Sequence, residues 1–373
     1  MRAASALMPT PGLHSMCSHE CEHGTLKRAP QPTRYNNNMS STTQFVLLSF
    51  LSLSQLVAQP KFTQPPPAQE VTITAIPGII DAGAKWKLVW QGDSNADGIV
   101  GFKDGLLFAQ EQTNHVNFLD KNDKFSVYLS SGHGPGAVTI GPKGTIIVDE
   151  RTCTDPGGHM GGKPADCTEP TGVAALTPER KVLANSYMGM GLGRVNDLIA
   201  DKKGGVYFTT NTGSGVFYIK PGGEVISIGD KIRSNGINLS PDEKTLYVTN
   251  GPVIVAYDVQ PDGSIKNQRE FGKLEGGGNG DGMAIDSMGR IFDTANGIQV
   301  LSPEGKYLGM IPTPRTVISV AFSGPGKKTL YAACIGALDA NGQEIKTAEG
   351  VRNTAMSVYK IETLTEGFKG RAK

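Results

Sequence analysis

One phrase recurs six times along this chain: a polar turn with Gly or Lys, a strand rich in β-branched and aromatic residues, and a second strand after it. The copies begin at Asp104 (DGLLFAQEQTNHVNFLD), Lys143 (KGTIIVDERT), Gly204 (GGVYFTTNTGSGVFYIK), Lys244 (KTLYVTNGPVIVAYDV), Gly289 (GRIFDTANGIQVLS) and Lys328 (KTLYAACIGA). Most are spaced about 40 residues apart, the length of one four-stranded blade. The repeat therefore predicts an all-β fold, a six-bladed β-propeller. Helical periodicity is nearly absent, which argues against alternating strands and helices. The 48 glycines and 23 prolines, with no collagen period, supply the many tight turns such a fold needs. A propeller closes its ring by adding a terminal strand to the last blade, since an open edge leaves backbone groups unpaired. The segment KWKLVWQG, from Lys85, is the candidate, with Trp86, Leu88 and Trp90 alternating on one face.

The boundaries follow from composition. The run FVLLSFLSLSQLVA, Phe45 to Ala58, is too short for a bilayer span and has the length of a signal h-region. We read 39–58 as a signal peptide, 1–38 as an N-terminal extension outside the domain, 59–84 as a Pro-rich linker and 85–373 as the propeller. The mature protein is then secreted or periplasmic. A formal net charge of +1 provides no field to recruit nucleic acid or an anionic membrane, so the expected partner is a small molecule. In an oxidising compartment Cys153 and Cys167, flanking a Gly-rich loop in the wide second interval, are expected to form a disulfide. Cys334, in TLYAACI, reads as a buried free thiol.

Residues just before each innermost strand are the ones that reach a propeller's central channel. Four such entrances carry small oxygen-bearing side chains: Asp97 in NADGIV, Asn196 in RVNDLIAD, Asn235 in SNGINLSPD and Asp281 in GDGMAID. Two carboxylates and two amide carbonyls are hard donors suited to calcium, magnesium or manganese. The alternative is that Asn-Gly and Asp-Gly are simple turns. Turns of that kind elsewhere, such as Asp262-Gly263, fall at the opposite end of the strand pairs.

These segments, RVNDLIADKKGGVYFT, SNGINLSPDEKTLYVTN, GDGMAIDSMGRIF and ISVAFSGPGKKTLYAA, resemble in order and spacing the hallmark segments of the gluconolactonase and regucalcin family of calcium-dependent propellers. The resemblance runs from about Trp90 to Tyr359. It implies that Asn196, Asn235 and Asp281 surround one divalent cation in a central metal-binding channel, calcium first, with zinc, magnesium or manganese as alternatives. The family's first ligand, a Glu in an EGP or ESP segment, is replaced here by Asp97, one methylene shorter, and Ser319 stands where the family has an Asn in its last blade. The implied activity is hydrolysis of a sugar lactone or related small ester. Asp281 is the expected catalytic base, while Arg194, Asn196 and His133 are the expected substrate contacts. Two other readings stay open: a non-catalytic propeller that binds a ligand or protein, and a metal-dependent hydrolase of phosphotriesters. The six histidines form no HxH, HExxH or serine-elbow pairing, so no hydrolytic triad is expected.

Overall fold

A computed structural model describes residues 64–130, 133–151, 169–211, 215–229, 232–349 and 351–373. The expected extension, the signal peptide and the Cys153–Cys167 pair lie outside the described residues.

Among the described residues, six four-stranded antiparallel sheets follow one another along the chain. Blade 1 has the strands Ile99–Phe102, Gly105–Gln110, His115–Leu119 and Phe125–Ser130. Blade 2 has Pro135–Ile140, Ile146–Glu150, Gly172–Ala175 and Lys181–Ala184; blade 3 has Val195–Ala200, Val206–Thr210, Gly215–Ile219 and Val225–Gly229. Blade 4 has Ser234–Leu239, Thr245–Asn250, Val253–Val259 and Ile265–Lys273; blade 5 has Met283–Ile285, Ile291–Thr294, Ile298–Leu301 and Tyr307–Ile311. Blade 6 has Val317–Ser323, Thr329–Ile335 and Met356–Glu362, with Lys87–Gly92 as its outermost strand. The first strands of successive blades touch one another, and blade 6 touches blade 1, so the ring is closed.

Burial explains the strand sequences. Central strands such as GLLFAQ and IIVDE are buried along their whole length and read as near-continuous apolar runs, whereas the outer strand FSVYLS is largely exposed. The core consists of six apolar clusters, one at each interface between successive blades. Between blades 6 and 1, for example, Tyr331, Ala333 and Val358 meet Ile99, Leu106 and Phe108.

The N-terminal strand closes the ring as its sequence predicts, pairing Lys87 with Lys360, Leu88 with Tyr359 and Gln91 with Ser357. A bulge between Leu88 and Trp90 changes the alternation expected from sequence. Trp90 packs on Phe108 with ring centroids 4.9 Å apart, while Leu88 turns to solvent. The stretch before this strand is more than a linker. Ile73, Ile76, Ile79 and Ile80 are buried in the cluster between blades 5 and 6, and the amide of Gln69 donates to the Pro314 carbonyl at 2.8 Å. Its prolines masked the apolar spacing behind them.

The C-terminal residues cross the far end of the channel. Phe368 donates its amide to Ile285, Arg371 reaches the carbonyls of Leu239 and Ser240, and the Lys373 ammonium meets the Asp197 carboxylate. Arg371 and Lys373, 8% and 6% exposed, are thus internal cations that composition alone gave no reason to place inside.

Candidate functional site

The opposite end of the channel opens into a cavity of about 570 Å³. Asp97, Asn196, Asn235 and Asp281 all line it. They come from blades 1, 3, 4 and 5, each at or just before the start of its inner strand, where strands from around the ring converge. Local backbone irregularity aims them. The inner strands of blades 3 and 4 shift register between Val195 and Leu198 and between Ser234 and Ile237, and such bulges redirect side chains out of the alternating pattern.

The glycines after three of these residues bear on the turn alternative. Gly98, Gly236 and Gly282 are absent from the residues with left-handed backbone, so these dipeptides are not glycine-dependent turns. Close approach explains them instead. A Cβ on Gly236 would lie 1.8 Å from the Asp281 carbonyl oxygen, and one on Gly98 would lie 2.4 Å from the Ala137 Cα. Glycine lets adjacent inner strands come near enough to bring the side chains together.

The side-chain contacts form two groups. Asn211 donates Nδ2 to Asn196 Oδ1 at 2.9 Å, and Asn196 Nδ2 contacts Asn235 Oδ1. On the other side Arg151, 1% exposed, donates Nη1 to Asp97 Oδ2 at 2.6 Å, Nε to Asp149 Oδ2 at 2.6 Å and Nε to the Val195 carbonyl at 2.9 Å. Its second terminal nitrogen reaches the Asn196 carbonyl. One guanidinium therefore ties blades 1, 2 and 3 together at the site. Arg194 lines the cavity as expected, but both its terminal nitrogens are held by Glu111, at 3.0 and 2.9 Å. His133 is not among the described residues lining the cavity. Ser319 lies beside the site, its Cα 3.0 Å from where a Cβ on Gly282 would stand.

The electrostatics are those of a crowded acidic pocket. Burial pushes the Asp281 carboxyl well above the ordinary carboxylate range, and Asp97 and Asp197 push it further, against a smaller pull from Arg151 and Lys373. Behind it Asp293, wholly buried, is raised well above its usual value by burial and by Asp281, against a smaller pull from the Asp281 backbone amide. Desolvation raises Asp149 to about 7 even with Arg151 beside it.

Sequence reasoning missed Arg151, Glu111, Asp149 and Asp293. The signal available was polar residues interrupting apolar central strands, in VDERT and IFDT. No group of three or more His, Cys, Asp and Glu side chains placed to hold a metal occurs among the described residues. The converging set has two carboxylates and two amides; Asn196 Oδ1 already accepts from Asn211 and Asn235 Oδ1 from Asn196, which leaves each amide oxygen one lone pair for a cation. Two carboxyls pushed well above their usual range, Asp281 in the cavity and Asp293 buried behind it, are chemistry that a divalent cation fits.

Comparison with known proteins agrees with this architecture. The model of the SMP-30/Gluconolactonase/LRE-like region matches residues 107–335, more than half of the chain. A gluconolactonase from Zymomonas mobilis is 29% identical over 297 residues, 68% of this chain and 80% of that protein. Among solved structures, a gluconolactonase from Xanthomonas campestris aligns with a TM-score of 0.60 at 18% identity, covering 82% of this chain and 97% of that one. Regucalcin from Agrobacterium tumefaciens, described as a calcium-binding protein, aligns at 0.52 and 13% identity over 75% of this chain and 95% of its own. At these identities the two structures speak for the fold. The repeat, the closed six-bladed ring and the family match together make this chain a member of the SMP-30/gluconolactonase/LRE-like family.

Proposed function

We propose that this protein hydrolyses a sugar lactone or a related small lactone in the central cavity, with one divalent cation held by Asp97, Asn196, Asn235 and Asp281. The observation that carries the reading is the convergence of these four oxygen-bearing side chains, from four blades, on one cavity. The Zymomonas mobilis relative, named for gluconolactone hydrolysis, supports the substrate class. Calcium is the first choice of cation because every donor is oxygen and two are neutral; zinc, magnesium and manganese are the alternatives.

When bound, the cation polarises the lactone carbonyl and stabilises the charge that develops on its oxygen. The chain's own residues do the rest. Asp281 accepts the proton of the attacking water as the water oxygen bonds to the carbonyl carbon; the ring C–O bond then breaks and its oxygen takes a proton, giving the hydroxy acid. Burial, and after it the neighbouring Asp97 and Asp197, raise the Asp281 carboxyl, and a cation bound beside it would draw it back down, so that it is ionised and able to accept the proton. Asp97 gives Oδ2 to Arg151, which leaves Oδ1 as its available donor and fixes the shorter side chain in place of the family's Glu.

The test is turnover of a lactone panel, D-glucono-1,5-lactone included, by chelator-treated protein with each metal restored in turn. Rates above the spontaneous rate that return with one metal support the reading; metal binding without turnover of any lactone removes it. We further propose that the mature protein is secreted or periplasmic, on the strength of the apolar run from Phe45 to Ala58. A protein that stays in the cytoplasm with Phe45 to Ala58 intact removes that part.

A further inference from the structure

Three arginines are among the described residues lining the cavity: Arg151, Arg194 and Arg352. The first is engaged by Asp97 and Asp149, the second by Glu111. Arg352 is half-buried and makes no hydrogen bond or ion pair with any described residue, although its surroundings are firmly built. It belongs to the long connection between the strands Thr329–Ile335 and Met356–Glu362 of blade 6. Its neighbour Asn353 donates Nδ2 to the Ile345 carbonyl at 2.6 Å and to Gln64 Oε1 at 3.0 Å, and Thr354 donates its hydroxyl to the Asp93 carbonyl at 2.9 Å. The same wall is braced by Arg315, which holds Glu344 through both terminal nitrogens at 3.0 and 2.7 Å and the Pro66 carbonyl at 3.2 Å. Gln64, Pro65 and Pro66 complete it.

A guanidinium carried into a cavity on an anchored backbone presents a planar fork of donors matched to carboxylate, phosphate or sulfonate oxygens. The other charges leave that role to Arg352. Arg151 is spent on Asp97 and Asp149, Arg194 on Glu111, and a divalent cation answers Asp281. We propose that Arg352 is a specificity-determining residue that selects lactones bearing an anionic group away from the reacting carbonyl. This rests on the lactonase reading above.

Two measurements on the full chain separate the two ideas. The first is calorimetric binding of stable probes that carry their charge at C6, D-glucitol 6-phosphate and D-glucuronate, against neutral D-glucitol, to the parent, Arg352→Gln and Arg352→Lys. The anions should bind about tenfold tighter than D-glucitol, more weakly as salt is raised, and the preference should vanish in Arg352→Gln and persist in part in Arg352→Lys. The phosphate and carboxylate arms tell which anion is preferred. The second is the ratio of kcat/KM for 6-phospho-D-glucono-1,5-lactone over the unmodified lactone, which should fall about tenfold in Arg352→Gln. A binding ratio that is the same in the parent and Arg352→Gln overturns the proposal even if lactones are opened. Anion binding that depends on Arg352 with no lactone opened keeps Arg352 as the anion contact of the cavity, but removes the lactonase reading and with it the selection among lactones.

Discussion

Replacing Arg151 by methionine should cost more than any exposed substitution in this protein, and by an amount that depends on pH. The guanidinium is 1% exposed and sits 2.6 Å from both Asp149 and Asp97. Asp149 is 0% exposed and would keep only the amides of Gly136 and Ala137, at 2.8 and 2.5 Å. Breaking a buried pair while leaving its partner charged costs about 3–5 kcal/mol. The sign of the pH dependence follows from Asp149. Burial raises its carboxyl from 3.8 to about 7, so folding takes up a proton and stability falls as pH rises between those values. Without Arg151 the folded value moves higher and the fall is deeper. At pH 5 the carboxyl is protonated in both folded proteins, and the charge-related part of the loss is absent. Urea unfolding should therefore show a loss of about 3–5 kcal/mol at pH 8 and less than half of that at pH 5. The double variant Arg151→Met/Asp149→Asn should recover more than half of the pH 8 loss. Equal losses at the two pH values, with no recovery in the double variant, would refute the assignment of Arg151 as counter-charge to a buried carboxylate.

Other consequences can be checked separately. Gly236→Ala pushes a methyl into the Asp281 carbonyl, so it should lose about 3 kcal/mol and release bound metal, seen by thermal melting and metal titration. If it binds metal like the parent, close approach of the inner strands is not what sets the site. Trp90→Ala empties the contact of the closing strand with Phe108 and should cost about 3 kcal/mol in urea unfolding; a change below about 1 kcal/mol would mean that the strand is held by its backbone ladder alone. Cys334 is 0% exposed and burial raises its thiol far above the usual range, so it should resist alkylation at pH 8 until the protein unfolds. Labelling at the rate of a free thiol in the native state would contradict its placement.

The architecture was legible because it is written six times. A strand buried on both faces must be apolar throughout, and a strand pair must end in a turn, so each blade repeats the same constraint on its residues. The closing strand from Lys85 was legible for the same reason, except at Leu88, where a single bulge reverses the facing and leaves no mark in composition. Asp97, Asn196, Asn235 and Asp281 were visible as a set because they share one phase in the repeat, opposite to the hairpin turns. Arg151 was not visible as part of the site. It lies at the far end of a central strand, and only the closure of three blades brings it to Asp97. Lys373 was hidden for a similar reason, since nothing near it in sequence says that the chain turns under the channel toward Asp197. Arg194 shows a different limit: it lines the cavity, yet its pairing with Glu111, distant in sequence, could not be read from the residues around it.

The most direct test of the central claim is a calcium titration of chelator-stripped protein, followed by calorimetry and by the rate of D-glucono-1,5-lactone opening in the same samples. The account predicts one site per chain, turnover that rises with its occupancy, and loss of both in Asp281→Ala. Turnover that is indifferent to calcium and to every other divalent metal, or that survives Asp281→Ala, would contradict it.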